Sequence, residues 1–270
     1  MDYLYREGSP ISPELWDKID EAVISMAKKV LTGRRFLNIY GPLGAGVQSI
    51  NIDYVKELEE TEGTPVKVKG RRYEEIPLIY NDFNLLWRDL ETSEQTGTPA
   101  DLSSALQAGA SMAKKEDEFI FLGNKNLGYE GLLTAENTVK IKKSDWNEGE
   151  NPVKDITSGL SKFIENDLVG RKALIVSPNL LIQLQRIQPG TGITEFERLS
   201  KLVNGNLFHT PVLGNNKAVL VCSEPQYMDL VIGQDMAASY LETKDLNHYF
   251  RIIETALLRI KNKDAVIVFE

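Results

Sequence analysis

One stretch of sequence constrains the fold more than any other, because it is long and has a chemical signal at each end. It comprises residues 101–122, DLSSALQAGASMAKKEDEFIFL. Asp101, a favourable N-cap residue, lies just after Pro99, and Gly123-Asn124 follow the last apolar residue. The pattern predicts a helix with a length on the order of 30 Å, enough to cross a domain. We therefore expect a spine helix against which sheets pack.

One face of this predicted helix is apolar or small, with a single charged exception. Its members recur at steps of three and four residues: Leu102, Leu106, Gly109, Ala110, Ala113, Asp117 and Ile120. Gly109 costs about 1 kcal/mol relative to alanine in mid-helix. It is either a tolerated surface glycine or a point of close packing against another backbone, and both interpretations stay open at this stage.

Composition argues for a cytosolic protein that is not an enzyme. The chain has 270 residues, a net charge of −8 and one cysteine, Cys222, which we expect to be buried. The acidic balance disfavours nucleic acid as the main partner, and no run approaches the roughly 18 apolar residues of a membrane span. The polar start, MDYLYREGSP, is unlike a signal peptide. Familiar metal, nucleophile and phosphate-loop motifs are missing from the sequence, so we expect no catalytic residue, no metal and no cofactor.

The first fifty residues predict an irregular arm, a helix and a short strand. Ser12-Pro13-Glu14 form a typical helix start after the arm of residues 1–11, and the helix is expected to end near Thr32-Gly33. A strand is expected at 36–40. The glycine-rich GPLGAG that follows lacks the GK[ST] of a phosphate loop, so we do not expect it to bind nucleotide.

The chain becomes highly charged between residues 53 and 72, DYVKELEETEGTPVKVKGRR. The alternation in VKVKG is typical of a strand, and glycine and proline supply turns. This segment contains too little apolar surface to bury a core of its own. We interpret it as an extended hairpin that projects from the body and clasps a neighbouring subunit.

Residues 76–90, IPLIYNDFNLLWRDL, predict a long strand that passes into a turn, followed by a polar loop that leads to the spine helix. Trp87, next to Arg88, has an aromatic face that could stack on a planar ligand. The plainer interpretation is that Trp87 packs in the core or at a subunit interface.

Beyond the spine helix, strands and helices alternate as far as about residue 223, which predicts a compact α/β domain. A strand is expected at 138–142, buried strands at 173–176 and 218–222, and helices at 155–166, from 178, and after Thr194. The last fifty residues are β-rich. We expect their strands to pair near residues 76–87 and to pack on the spine helix, so that the chain leaves a first domain, builds a second and returns.

Several blocks of sequence, in order, resemble encapsulin shell proteins from about residue 3 to the C-terminus. They are GRRFLNIYGPLGAGVQS, IPLIYNDFNLLWRDLE, KKEDEFIFLGNKNLGYEGLLT and the ending LVIGQDMAASYL…FRIIETALLRIKNKDAVIVF. The resemblance implies an α+β fold of the tailed-phage major capsid type. It divides the chain into a peripheral domain (1–49, 76–133 with the spine at 101–122, and return strands at 224–270), an extended loop (50–75) and an axial α/β domain (134–223).

The function implied by the resemblance is self-assembly into an icosahedral nanocompartment in the prokaryotic cytoplasm. Such shells enclose a cargo enzyme, often a dye-decolourising-type peroxidase against oxidative stress or a ferritin-like iron oxidase for iron storage. The cargo docks through a C-terminal targeting peptide. The implied partners are therefore further copies of this chain and a cargo protein, with neither membrane nor nucleic acid.

The resemblance also implies sites. Arg34, Asn38 and Asp235 are carried over as residues of the pocket for the cargo peptide. Many relatives have aspartate at position 38, so Asn38 removes a charge that could pair with a basic peptide residue. The alternatives are that Arg34 is a helix-end cation and that Asp235 is a turn residue.

The loop Gln188-Pro189-Gly190-Thr191-Gly192 would line the pore at the five-fold axis. Its glycines allow mobility and it has no charge, which predicts a weakly selective opening. The alternative is a plain connection between two helices. For small ligands, the sequence leaves open a flavin on the shell wall.

Three rival functions remain at this stage. A phage-type major capsid protein with the same fold would package nucleic acid. An oxidoreductase would bind a planar cofactor near Trp87 and be coloured. A monomeric α/β ligand-binding protein would leave the projecting hairpin without a partner, which argues against that alternative.

Overall fold

The computed structural model describes residues 2–52, 58–59, 67–68, 72–188, 190 and 192–270. Six α-helices lie in these ranges: α1 (Pro13–Val30), α2 (Trp87–Thr96), α3 (Ser103–Leu122), α4 (Asn151–Glu165), α5 (Pro178–Leu184) and α6 (Glu195–Leu202). The strands of the same ranges are β1 (Ile39–Tyr40), β2 (Ser49–Asn51), β3 (Leu58–Glu59), β4 (Lys67–Val68), β5 (Tyr73–Glu75), β6 (Leu78–Leu85), β7 (Gly123–Asn124), β8 (Tyr129–Glu130), β9 (Val139–Ile141), β10 (Lys172–Val176), β11 (Leu207–His209), β12 (Ala218–Cys222), β13 (Met228–Ile232), β14 (Ala237–Lys244), β15 (Asn247–Ile260) and β16 (Val266–Phe269).

The first sheet is built around β15, the 14-residue strand that pairs with three others. Its first part lies between β14 and β6, and its last part pairs with β13, which in turn pairs in parallel with β1. Helices α1 and α3 cover this sheet. Trp16, Met112 and Phe250 meet in the core between them. The sequence expectation that the late strands pair near residues 76–87 is confirmed for β15, which pairs with β6. β13 and β14 join the same sheet through β15 and do not pair with β6.

The spine helix, α3, begins two residues later than its sequence predicts. Asp101 does not cap it as expected; its Oδ1 accepts from the backbone N–H of Ser103 at 2.9 Å in the turn before the helix. The helix ends at Leu122 as predicted. Gly123 follows with φ of +64°, a conformation that glycine adopts without strain.

The crossing of α1 and α3 decides the role of Gly109. A Cβ at this position would lie 2.6 Å from the carbonyl oxygen of Val23 and 3.0 Å from its Cα. The glycine therefore lets the two helix backbones touch. Close packing is confirmed, and the interpretation as a surface glycine is wrong.

The second sheet has the order β11-β10-β12-β16-β9, with α4, α5 and α6 nearby in sequence. Its three central strands, β10, β12 and β16, are almost wholly buried, as continuous apolar runs such as AVLVC predict. Cys222 is fully buried, as expected. One expectation is wrong: β16 does not pair with the strand near residues 76–87, as was expected for all of the late strands. It lies between β12 and β9 in the second sheet, because VIVF is apolar on both faces and fits a central strand.

The charged segment contains two short antiparallel ladders. β2 pairs with β5, and further out β3 pairs with β4, Leu58 opposite Val68 and Glu59 opposite Lys67. This is the pairing that a hairpin requires. The remaining residues of the predicted hairpin, 53–57, 60–66 and 69–71, lie outside the described residues.

Three further sequence predictions differ from the structure. Residues 87–96 form the helix α2 where a turn and a loop were predicted; none of its residues is buried, so it has no apolar stripe to reveal it. The strand predicted at 36–40 is confined to β1, since Gly33–Arg35 and the residues after them turn. Helix α4 begins at Asn151, four residues before the predicted start, with Pro152 in its first turn.

Candidate functional site

Arg34 stands at the centre of the most strongly charged cluster in the described part of the molecule. It lies in the single 3₁₀ turn Gly33–Arg35 that follows α1. Its Nε donates to Glu116 Oε1 at 2.8 Å, and its Nη2 donates to Glu116 Oε2 at 2.9 Å. Glu116 belongs to α3 and is fully buried. The two parallel bonds form a forked ion pair, the strongest geometry that arginine and a carboxylate can adopt.

Two more carboxylates complete the cluster. Nη1 of Arg34 donates to Asp235 Oδ1 at 2.9 Å, and Nη2 also donates to Glu254 on β15. Glu254 is fully buried, whereas the Asp235 side chain is 57% exposed. We call Arg34, Glu116, Asp235 and Glu254 the arginine cluster. It joins the end of α1 to α3, β15 and the turn before β14.

The charges in the arginine cluster do not balance, which sets its protonation. Burial by itself would lower the pKa of Arg34, but the hydrogen bonds and charges of its carboxylates, Glu116 first, outweigh this, so its pKa is raised and it stays charged. Burial, followed by the negative charge of Glu116, raises the pKa of Glu254 well above its ordinary value. Glu254 therefore takes up a proton more readily than an ordinary glutamate, which reduces the excess of negative charge.

Asp117 holds the turn that presents Arg34. Its Oδ2 accepts from the backbone N–H of Thr32 at 2.9 Å and its Oδ1 from that of Gly33 at 2.8 Å. Burial raises the pKa of Asp117 to about 6, although these backbone hydrogen bonds act to lower it. The turn also packs tightly on α3, because a Cβ on Gly33 would lie 2.4 Å from Ile120 Cδ1.

The structure brings together two of the three residues carried over as a pocket. Arg34 and Asp235 form an ion pair. Asn38 instead donates through Nδ2 to the carbonyl oxygen of Ser223 at 2.7 Å, while its own carbonyl accepts from Leu230 N–H at 2.9 Å. These bonds attach the chain before β1 to β13. Arg34 is thus more than a helix-end cation, and Asp235 is more than a turn residue.

Sequence reasoning missed Glu116 and Glu254, although a signal for Glu254 was present. Phe250, Ile252, Glu254 and Ala256 alternate along β15, so they lie on one face, and all four are buried. A charged residue in such an apolar series requires a partner. Asp117 gave the same signal on the apolar face of the spine helix.

The predicted pore loop connects α5 to α6. Gly190 and Gly192 have φ of +81° and +72°, and Pro189 and Thr191 lie outside the described residues. Gln188 N–H donates to the carbonyl oxygen of Ile193 at 3.0 Å. With its side-chain nitrogen turned towards acceptors, Gln188 also donates to Glu195 Oε1 at 2.6 Å. Glu195 is fully buried. The uncharged loop is therefore attached to a buried glutamate, which the sequence of the loop itself does not reveal.

Trp87 is the first residue of α2, and its backbone N–H donates to Asn247 Oδ1 at 3.2 Å. Its side chain is not part of the core, since the residue is 40% exposed. The sequence suggested three roles for Trp87: stacking on a planar ligand, packing in the core, or packing at a subunit interface. The core role is wrong. The ring is free to meet a subunit or a planar ligand.

The described residues contain neither a metal-binding cluster nor a membrane-spanning helix. No three His, Cys, Asp or Glu side chains among them lie close enough to hold a metal ion. None of the helices in the described ranges is both long and apolar enough to cross a bilayer. The arginine cluster itself has a charged interior and one exposed carboxylate, an arrangement suited to docking a partner.

Comparison with known proteins gives consistent matches over nearly the whole chain. Residues 1–257 match the model of a family described as "Encapsulating protein for peroxidase". The type 1 encapsulin shell protein of Myxococcus xanthus (strain DK1622) is 38% identical, over 100% of this chain and 96% of that protein.

Solved structures show the same fold. The crystal structure of a virus-like particle from Pyrococcus furiosus matches with a TM-score of 0.77 and 25% identity, covering 95% of this chain and 100% of that chain. The capsid of Myoviridae phage XM1 matches with a TM-score of 0.63 and 16% identity, covering 88% of this chain and 91% of that chain. The α+β architecture is thus that of tailed-phage capsid proteins, as the sequence resemblance implied.

Proposed function

This chain belongs to the encapsulin family of shell proteins, and on that basis we propose that many copies of it assemble into a closed icosahedral shell that encloses a cargo enzyme. The observation that supports this most directly is the match to the virus-like particle subunit, which spans the full length of that subunit. Contacts between different patches of identical subunits close into a shell when the rotations between them fit. The function is structural, and no catalytic step is assigned to the chain.

The surface of the single subunit supports assembly. Ile164 and Ile182 are 73% and 74% exposed, and both lie on helices beside the second sheet. The β3–β4 ladder is an isolated two-stranded pair, and such a pair is marginally stable in water without something to pack against. A neighbouring subunit would cover both kinds of surface.

The cargo is proposed to dock at the arginine cluster. Asp235 offers an exposed carboxylate that Arg34 holds in place. Asn38, a half-buried residue just before β1, bonds instead to the carbonyl oxygen of Ser223. A peptide that docks here would meet hydrogen-bonding groups and one exposed negative charge, the carboxylate of Asp235. Because the matched family is described by its peroxidase, a dye-decolourising-type peroxidase is the cargo favoured here, with a ferritin-like iron oxidase as the second candidate.

The rival is a phage-type capsid protein that packages nucleic acid, since phage capsids share the fold. The net charge of −8 disfavours it, because an acidic chain has no excess of Lys and Arg with which to bind nucleic-acid phosphates. We also propose that the shell is cytoplasmic, which cell fractionation would test.

Size-exclusion chromatography followed by negative-stain microscopy of the chain expressed alone tests assembly. We expect uniform hollow particles with the ultraviolet absorbance ratio of pure protein. A small soluble species would contradict the shell, and particles that absorb as nucleoprotein would support the capsid alternative. Visible absorbance of the same sample tests a flavin at Trp87; we propose that the shell is colourless.

Asp235→Arg tests the docking site. The exposed pair with Arg34 contributes at most about 1 kcal/mol, so shells should still assemble. A peroxidase or ferritin-like protein with its own C-terminal tail should load far less well into the variant, because the exposed charge is reversed. Glu94→Arg, an exposed carboxylate on α2, is the matched control. Equal loading in both variants would remove Asp235 from the site.

A further inference from the structure

The outer edge of β14 is the side of this strand that faces away from β15. β14 pairs with β15 on one side, and in the described ranges no second strand pairs with it on the other. The backbone N–H and C=O groups of successive residues in a strand point alternately to its two sides. Those of Ala238 and Tyr240 point away from β15. An edge of this kind is a template on which an extended chain can add as a further strand.

The chain's own N-terminal arm covers this edge. The carbonyl oxygen of Leu4 accepts from Tyr240 N–H at 2.9 Å. Arg6 donates to the carbonyl oxygen of Ala238 from Nε at 2.9 Å and from Nη2 at 2.7 Å. The ring of Tyr5 stacks on that of Tyr240 with centroids 6.5 Å apart. Two of the outward-facing groups of the edge, Tyr240 N–H and Ala238 C=O, are therefore bonded to the arm, one by a backbone and one by a side chain.

Arg6 is the main anchor of the arm. Its Nη1 forms an ion pair with Asp20 Oδ2 at 2.6 Å, and its guanidinium lies 4.5 Å from the ring centroid of Trp16. Asp20 and Trp16 both belong to α1. The anchor is only partly buried, with 27% of the Arg6 side chain exposed. Nη2 of Arg6 also donates to Asp20 Oδ1 at 2.8 Å, so the pair is forked. It is still partly open to water, so a peptide that forms more main-chain hydrogen bonds with the edge can replace it.

The arm is a poor substitute for a strand. Tyr5 has φ of +53°, a left-handed conformation that a side chain other than glycine rarely adopts, and its N–H turns back to the carbonyl of Asp2 at 3.2 Å. Only one main-chain hydrogen bond joins residues 2–6 to the edge. An extended peptide along the eight residues of β14 could form several, without this strain.

The arm also reaches the arginine cluster. The hydroxyl of Tyr3 donates to the side-chain oxygen of Gln234, and Gln234 directly precedes Asp235. We propose that the outer edge of β14 is a binding site for an extended peptide, that residues 3–6 cover it, and that the cargo's targeting peptide binds by displacing them and adding a strand. This inference rests on the proposed cargo-docking function and adds its regulation: the arm lowers cargo affinity until it is released.

The arm sequence itself is the first probe, because it requires no knowledge of the cargo. A fluorescent protein with residues 2–11 of this chain at its C-terminus is co-expressed with the full chain and with a variant that lacks residues 2–6. We expect about tenfold more fluorescence per shell subunit in the variant's particles, the factor that results if the arm covers about nine edges in ten. Equal fluorescence with both chains, or none with either, would overturn the proposal.

Arg6→Ala tests the same idea in the full chain, should the deletion prevent assembly. It removes both donors to Ala238, so a fluorescent protein with the tail of the peroxidase or ferritin-like candidate should load in larger amounts. Lys154→Ala, an exposed cation on α4, is the control and should load like the unaltered chain.

The outcomes separate the two proposals. Loading that depends on the tail but is the same for Arg6→Ala and the control would overturn competition by the arm and leave cargo docking intact. Loading that is independent of the tail would overturn peptide-mediated docking. In that case, loading of the arm fusion would by itself test whether the outer edge of β14 binds a peptide.

Discussion

Asp117 shows how single side chains near the arginine cluster connect stability to pH. Its carboxylate organises the turn before Arg34, yet burial raises its pKa from 3.8 to about 6. A carboxyl with a folded-state pKa above its unfolded-state value binds protons more tightly when folded. Its contribution to stability is therefore greatest at low pH and is lost as pH rises from about 4 to about 6. Glu254, with a pKa raised well above 4.5, acts in the same direction.

Asp117→Asn should remove this pH dependence while keeping an oxygen that accepts from Thr32 and Gly33. Relative to the unaltered chain, the variant should gain thermal stability as pH is raised from about 4 to about 7, since the unaltered chain alone must ionise a buried carboxyl. Thermal unfolding of both proteins at matched concentrations measures the difference. A difference in Tm that is constant over this range would show that Asp117 does not titrate there.

At the scale of elements, the contact between α1 and α3 determines how the first sheet is covered. Both helices are amphipathic, and at Gly109 their backbones come into direct contact. The same crossing aligns the end of α1 with Glu116 and Asp117 of α3. The helix packing thus places the turn that holds Arg34, and a change in the crossing would alter the position of Arg34 in the arginine cluster.

Gly109→Ala should destabilise the protein although alanine is the better helix former. The gain in helix propensity is about 1 kcal/mol, while forcing a methyl group against Val23 costs about 1–3 kcal/mol or separates the helices. Ser111→Ala, on the exposed side of the same helix, should be neutral or slightly stabilising. Thermal unfolding checks both. Equal or higher stability of Gly109→Ala would mean that the crossing relaxes freely.

At the scale of the whole molecule, the two sheets are not independent. One continuous core contains Phe36 and Ile120 beside the first sheet together with Leu174 and Val268 of the second. β16 strengthens this link, since the chain returns to the second sheet after β15. Both ladders lie outside the two main sheets. The β2–β5 ladder packs on the body through Ile50, which contacts the cluster of Val231 and Leu257, so only the β3–β4 ladder is expected to be removable without disturbing the folded body.

Deleting residues 56–69 should therefore prevent shell assembly and leave the body folded. The deletion removes the β3–β4 ladder and retains the β2–β5 ladder as a closed hairpin. Circular dichroism should report a folded protein, while size-exclusion chromatography and microscopy should find no particles. Shells of the normal size from this variant would refute the role of the hairpin as a subunit clasp.

Much of the architecture could be predicted from sequence, because its signals are local. Ser12 and Thr194 cap α1 and α6 as expected, accepting from Leu15 N–H and Glu197 N–H. Apolar runs and alternation located the buried strands, and the ordered blocks of resemblance indicated the family. Each of these signals is contained in a few neighbouring residues, where propensity and periodicity act directly.

What only the tertiary structure decided lies in contacts between distant parts of the chain. Arg34 and Glu254 are 220 residues apart, and Arg6 reaches Ala238 across 232. The partners of β16 and the exposed helix α2 also had no local signal. A buried charge or an open strand edge requires a partner, but the sequence does not say which one. That choice depends on the packing of α1, α3 and β15 in three dimensions, which brings these groups within hydrogen-bonding distance.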